Sequence, residues 1–268
     1  VIKVDAYYED DDVVIYHGDC ADLLPEFSRV DHVITDPPYG EHIHSNARSG
    51  RMRAANDRGG RYGADVRRTV DLGFDHLDAD LRRLCAAEFA RIAARWVLVF
   101  SDVESDHLWR EDLTSAGLDY VRTEAWVKLG ATPQFSGDRP ATGFEAITIA
   151  HPKGRKRWNG GGKHAVWSFP IVLDRGRTGS RLHTTQKPQE LMHTLLTQFT
   201  DPGETIRDPF AGSGTTLAAA RMLGRKAIGI EKNEQYCEVM ARRFDQGVLP
   251  VGEPTSDTSM GDLARLSA

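Results

Sequence analysis

Cysteine is scarce in this chain, and the three present, Cys20, Cys85 and Cys237, are scattered, odd in number and form no CxxC pair. A disulfide framework or a structural zinc is therefore not expected, and a reducing cytoplasm is the natural setting. Long apolar runs are missing too: no stretch approaches the roughly 20 residues that span a bilayer, and the N-terminus lacks the basic-then-apolar order of a signal peptide. Internal repeats are absent. The chain opens on Val1 and is expected to have lost its initiator. What remains is an ordinary globular composition, 40% hydrophobic and 27% charged over 268 residues. That is enough for one large α/β domain or two small ones.

Positive charge is also short, with a net charge of −5 that at first argues against a nucleic-acid partner. Its distribution reverses that reading. Between Ser45 and Arg68 stand seven Arg against two Asp, and between His151 and Arg181 eight Lys or Arg against Asp174 alone. Two basic segments on an acidic body suit a surface that meets one polyanion, although a pair of solvated Arg-rich loops fits the same counts.

Periodicity is cleanest in the C-terminal third. Glu204 to Asp208 reads as a strand running into the turn Pro209–Gly214, followed by a helix from Thr215 to Leu223 that Gly224 stops. Lys226–Ile230 is a second strand with Glu231 at its end, and a helix follows from about Glu234 to Phe244. Strand, loop, helix, strand, acid, helix is half of an open parallel sheet. The N-terminal part continues it. Val13–Tyr16 ends in Gly18-Asp19, Ala21–Phe27 is a short helix, and His32–Thr35 ends at Asp36-Pro-Pro-Tyr39. A helix over Leu81–Ala94 precedes an apolar strand at Trp96–Phe100. Tyr120–Val127 and Glu145–Ala150, with no long helix between them, read as antiparallel strands. Gly40–Asp71 has no period and reads as a long loop. Pro152–Arg181 reads as a hairpin-like insert, and a tail follows about Val248.

Three motifs carry chemistry. In Asp208-Pro-Phe-Ala-Gly-Ser-Gly-Thr-Thr216 a strand enters a glycine-rich turn and a helix, whose free N–H groups face the anionic end of a ligand. It is not GxxxxGK[ST], and it lacks the third glycine of GxGxxG. With Glu231 placed to bond ribose hydroxyls, the combination suits a nucleoside without a pyrophosphate; a merely structural turn is the alternative. In Asp36-Pro-Pro-Tyr39 two prolines stiffen a strand exit and hold a carboxylate, a carbonyl and an aromatic ring in fixed relation. Taken alone it could equally be a rigid turn with an aromatic plug. Thr185-Gln-Lys-Pro188 opens a helix through Leu191, Leu195 and Leu196, and alone is an ordinary helix start.

Together, and in this order, the three motifs resemble the DNA amino-methyltransferase family, the N6-adenine and N4-cytosine enzymes, in its β-group, circularly permuted arrangement. The resemblance covers residues 13–39 and 183–244 well, and the middle only in strand pattern. It implies an α/β fold: an open, mostly parallel Rossmann-like sheet with helices on both faces and an antiparallel strand at one edge. Residues 1–268 would form a single methyltransferase domain. The cofactor implied is S-adenosyl-L-methionine. Asp208, Phe210, Ala211, Gly212, Ser213, Gly214 and Thr215 would form its loop. Glu231 with Lys232 would hold the ribose side, Asp19 and Cys20 the adenine side, and Thr185, Gln186 and Lys187 the methionine end near Asp36. Asp36, Pro37, Pro38 and Tyr39 would be the catalytic loop.

The partner implied is DNA, with homodimerisation left open and neither membrane nor metal involved. His42 and His44 lie beyond the tetrapeptide without an obvious third ligand and read as surface or phosphate contacts. The segment 41–71, with Arg48, Arg51, Arg53, Arg58 and Arg61, and the insert 152–181, with Lys153, Arg155, Lys156, Arg157 and Lys163, would meet the nucleic acid on the face that carries Tyr39. The reaction expected is methylation of adenine N6 in DNA. Cytosine N4 and an RNA base are alternatives within the chemistry, and a catalytically silent nucleic-acid-binding module is the alternative outside it. The missing third glycine disfavours a nucleotide-dependent oxidoreductase.

Overall fold

A computed structural model of the protein describes residues 4–39, 77–131, 139–172 and 186–245. Nine strands among these form one sheet. In chain order they are β1 (Tyr8–Glu9), β2 (Val13–His17), β3 (His32–Thr35), β4 (Val97–Ser101), β5 (Asp119–Leu129), β6 (Phe144–His151), β7 (Val166–Pro170), β8 (Thr205–Asp208) and β9 (Lys226–Glu231). Their order across the sheet is β1-β2-β9-β8-β3-β4-β6-β5-β7. The run from β2 to β4 is parallel throughout. β1 is antiparallel at its edge. β6 runs against both β4 and β5, while β7 lies parallel to β5 at the far edge. The expected antiparallel pairing of the two middle strands holds, and so does an antiparallel edge strand.

The helices are α1 (Cys20–Leu23), α2 (Ala79–Ile92), α3 (Asp106–Ser115), α4 (Gln189–Phe199), α5 (Thr215–Met222) and α6 (Glu234–Asp245). Successive side chains of a strand point to opposite faces, and β4 shows the consequence. Leu98 and Phe100 join one core with Leu191, Leu195, Leu217 and Met240 of α4, α5 and α6. Val97 and Val99 join another with Cys85, Phe89, Trp109 and Leu113 of α2 and α3. Helices therefore cover both faces, and every residue of β3 is buried. Local signals set the helix ends. Asp78 caps α2 by accepting from the Leu81 amide at 2.8 Å, and Gly224, at φ +69°, closes α5 through its amide to the Arg221 carbonyl at 3.0 Å.

Three elements differ from the expectation. Helix α3 and strand β1 carry no strong pattern and are additions to it. The described part of the insert is not a hairpin: among the described residues β7 pairs only with β5, and in parallel, so the chain leaving β6 passes beyond β5 to reach the edge of the sheet. The loop 40–71, Thr185 and the tail after 248 lie outside the described residues.

This topology places the site. From β3 the chain crosses through α2 to β4 on one side, and from β8 through α5 to β9 on the other. β3 and β8 are neighbours, so the order reverses between them. Open α/β sheets bind ligands beyond the carboxyl ends of the strands at such a point.

Candidate active site

Asp36 directly follows the last residue of β3 and Asp208 is the last residue of β8, so the two proline-bearing exits start side by side. Their tie is direct: the Thr35 hydroxyl donates to Asp208 Oδ1 at 2.7 Å, in a fully buried contact. The same oxygen accepts from the Phe210 amide at 3.2 Å. Burial pushes the Asp208 carboxyl up to about 6, against the hydrogen bonds of Thr216, Thr35 and Phe210.

Beyond Asp208 the turn needs its glycines. Gly212 and Gly214 have φ of +53° and +77°, the left-handed region that side chains with a Cβ enter at a cost. Gly214 is the N-cap of α5. The Ala211 amide reaches the Ile230 carbonyl at 2.9 Å, and Arg243 holds the turn from outside, bonding the Ser213 carbonyl at 3.4 Å and Gln189 Oε1 at 3.0 Å. Glu231 closes the other wall. Its Oε2 accepts from the Gly212 amide and its Oε1 from the Asn233 amide, both at 2.8 Å, and burial raises its pKa. The Lys232 amide is a third backbone donor to this carboxylate; with two lone pairs on each oxygen, acceptor capacity remains. Asp19 stands on the adjoining strand exit, since His17 pairs with Glu231. Its Oδ1 caps α1 through Ala21 at 3.0 Å and its Oδ2 meets Lys232 Nζ at 3.1 Å. Cys20 packs in the core with Cys85.

The catalytic-loop side holds a cluster of charge. The Lys187 ammonium bonds Asp36 Oδ2, lies 3.3 Å from the Tyr39 hydroxyl and 3.3 Å from Glu145 Oε2. Aromatic rings surround it: Phe100, Tyr39 and Trp126 have centroids 5.1, 5.4 and 6.0 Å away. Lys128 Nζ holds the other Glu145 oxygen at 2.6 Å. Burial works against every ion here. For Lys187 the Asp36 and Glu145 charges outweigh it and raise the pKa. For Glu145 the two lysines outweigh it and lower the pKa. For Asp36 burial prevails over Lys187 and raises it. Tyr39 is held well above the usual phenol range, by burial first and then by the Asp36 and Glu145 charges, so its hydroxyl keeps its proton. Asp36 Oδ1 is buried and has no hydrogen-bond partner among the described residues.

The structure thus brings together Asp36, Tyr39, Lys187, Asp208, Gly212, Gly214 and Glu231. Lys187, expected at the methionine end of a cofactor, sits against the catalytic loop. Glu145 and Lys128 join the site without a motif to announce them. A carboxylate at the head of an otherwise apolar strand is the one available signal, and its partners are remote in sequence. Lys153, Arg155, Lys156 and Arg157 correct the expectation of a basic insert beside Tyr39. They follow the end of β6, where Ala150 pairs with Val97 at the start of β4, so they lie at the opposite edge of the sheet. There Arg157 pairs with Asp201 at 3.2 Å and its carbonyl accepts from Trp96 Nε1 at 2.7 Å; Lys156 pairs with Asp119 at 2.9 Å. Lys163 is exposed ahead of β7. Arg48, Arg51, Arg53, Arg58 and Arg61 fall outside the described residues. Among the described residues no group of His, Cys, Asp and Glu could hold a metal ion, and no helix is long and apolar enough to cross a membrane.

Comparison with known proteins agrees with this arrangement. Residues 114–242 match the family model of N6/N4 DNA methylases. The chain is 26% identical over 255 residues to the type II methyltransferase M.HinfI of Haemophilus influenzae, across 86% of this chain and 67% of that protein. It is 24% identical over 261 residues to M2.LlaDCHI of Lactococcus lactis subsp. cremoris, across 92% and 94%. The chain is thus similar to DNA amino-methyltransferases. Among solved structures its fold is similar to that of the M1.HpyAVI–SAM complex, with a TM-score of 0.64 at 22% identity over 87% of this chain and 99% of that one. It is also similar to the cytosine-N4-specific PvuII DNA methyltransferase, at 0.68 and 15% over 90% and 89%. In this chain the Asp36 loop precedes the Asp208 turn, yet β3 and β8 set them side by side.

Proposed function

We propose that the protein methylates the exocyclic N6 amine of adenine in DNA. The observation that carries the reading is Asp36 Oδ1, a buried acceptor without a partner among the described residues, at the point where the sheet order reverses beside a glycine turn and a strand-end carboxylate. A base amine is a poor nucleophile because its lone pair is delocalised into the ring. Asp36 Oδ1 and the Pro37 carbonyl accept its two N–H bonds and draw the pair back onto nitrogen. Tyr39, kept as a neutral phenol, offers its ring to the base, which must leave the duplex to arrive there. Stacking of roughly 1–3 kcal/mol per base is comparable with the few kcal/mol that extrusion costs.

S-adenosyl-L-methionine supplies an electrophilic methyl group when bound. The residues fit it: Glu231 keeps acceptor directions for ribose hydroxyls, and the turn Asp208–Gly214 brings backbone close to the crevice. Gln186 stands next to Lys187 in the segment before α4. Holding both reactants in one crevice is the main source of acceleration. The Asp at the head of the tetrapeptide favours adenine, since by family resemblance N4 enzymes more often carry Ser there. Cytosine N4 is the second reading, favoured by the likeness to a cytosine-N4-specific fold. DNA incubated with the protein and S-adenosyl-L-methionine, digested and analysed by mass as nucleosides, decides between them. N6-methyladenine is expected; N4-methylcytosine would move the reading to the other base, and neither product would overturn it.

A further inference from the structure

Glu145 has no place in the mechanism above, yet it is a buried carboxylate one ammonium away from Asp36. It is only 7% exposed. Its two oxygens meet different lysines, Lys128 at 2.6 Å and Lys187 at 3.3 Å. The chain Asp36–Lys187–Glu145–Lys128 therefore alternates in sign and sums to no net charge. Buried ions are costly unless paired on every side; Glu145 and Lys187 are buried and Asp36 and Lys128 partly so, and such a cluster on β5, β6 and two loops calls for a physical reason.

We propose that Glu145, with Lys128 behind it, is a positioning residue of the methyl-transfer site that shares the Lys187 ammonium with Asp36, leaving an Asp36 oxygen for the target amine. The inference rests on the function proposed above. Without a second carboxylate, Lys187 would belong to Asp36 alone and weaken it as an acceptor. The site would also carry a net positive charge beside a nitrogen that becomes positive as it takes the methyl group. With Glu145 in place the ammonium is held from both sides against the Phe100, Tyr39 and Trp126 rings. The other charges facing Asp36 are few. Tyr39 stays neutral, Asp208 lies beside it on β8, and Asp102 faces Tyr39 from the end of β4.

The test is Glu145→Gln in the full chain, alone and with Lys128→Met, which restores neutrality. For the single variant the methyl-transfer kcat should fall on the order of tenfold or more, with S-adenosyl-L-methionine affinity unchanged. Removing a like charge favours the Asp36 anion, so the acid limb of the pH–kcat profile should move to lower pH by about one unit. The double variant should regain most of the missing kcat. A carboxyl-carbon NMR titration of Asp36 reads the same shift without any turnover, which separates this inference from the assignment of function. An unmoved Asp36 titration overturns the inference whatever the activity. So does a double variant no better than the single one, which would mark Glu145 as a packing residue.

Discussion

The Thr35 hydroxyl and Asp208 Oδ1, 2.7 Å apart and both buried, join the exit of β3 to the exit of β8. They are 173 residues apart in the chain, and through them the catalytic loop and the glycine turn share one support. Thr35→Val keeps the shape and removes the donor. A buried carboxylate deprived of a partner costs about 1–3 kcal/mol. The urea midpoint should fall accordingly, with an unchanged slope.

Asp208 also sets a pH dependence. Its carboxyl titrates at about 6 in the folded protein, against an ordinary value of 3.8, because burial disfavours the charge. The folded state then binds more protons than the unfolded state between these values, so stability falls as pH rises from about 4 to 6. Two units correspond to roughly 3 kcal/mol at most. Asp208→Asn should lose this slope and gain stability relative to the parent above pH 6, read from denaturation at pH 4, 5, 6 and 7. An equal slope in both proteins would contradict the burial argument.

Glu231→Ala removes the acceptor of the Gly212 and Asn233 amides along with the proposed ribose contact. S-adenosyl-L-methionine binding should weaken by roughly 1–3 kcal/mol, measured by isothermal titration. Unchanged affinity would put the cofactor elsewhere.

The strand exits are readable in the sequence because proline and glycine mark them where they stand: Asp36-Pro-Pro-Tyr39 and Asp208 to Gly214 are local signals. Helix α3 is not readable, since its one apolar stripe is Trp109 and Leu113 within a polar ten-residue run. Glu145 is not readable either, because Lys187 and Lys128 reach it from other elements. The direction of β6 is readable, but its consequence depends on the strand order, which is not. A strand reversed between β4 and β5 delivers whatever comes next, here Lys153 to Arg157, to the edge away from the site.

That placement sets the described start of the second basic segment away from Tyr39. The Arg-rich segment begins just beyond Tyr39, whereas Lys153 and Arg155 sit at the far edge. Replacing Arg48, Arg51 and Arg53 with Ala should flatten the log–log salt dependence of DNA affinity by about two to three units, at about 0.9 for each phosphate no longer neutralised. Replacing Lys153 and Arg155 should leave it unchanged. The reverse result would place DNA on the other edge of the sheet.

The most direct test of the central claim is Asp36→Ala, assayed for labelled-methyl transfer to DNA and, on the same sample, for S-adenosyl-L-methionine binding by calorimetry. Asp36 is assigned to the amine and not to the main cofactor contacts. Transfer should be abolished while cofactor affinity stays within a few-fold of the parent. Full methyl transfer by the variant would contradict the account.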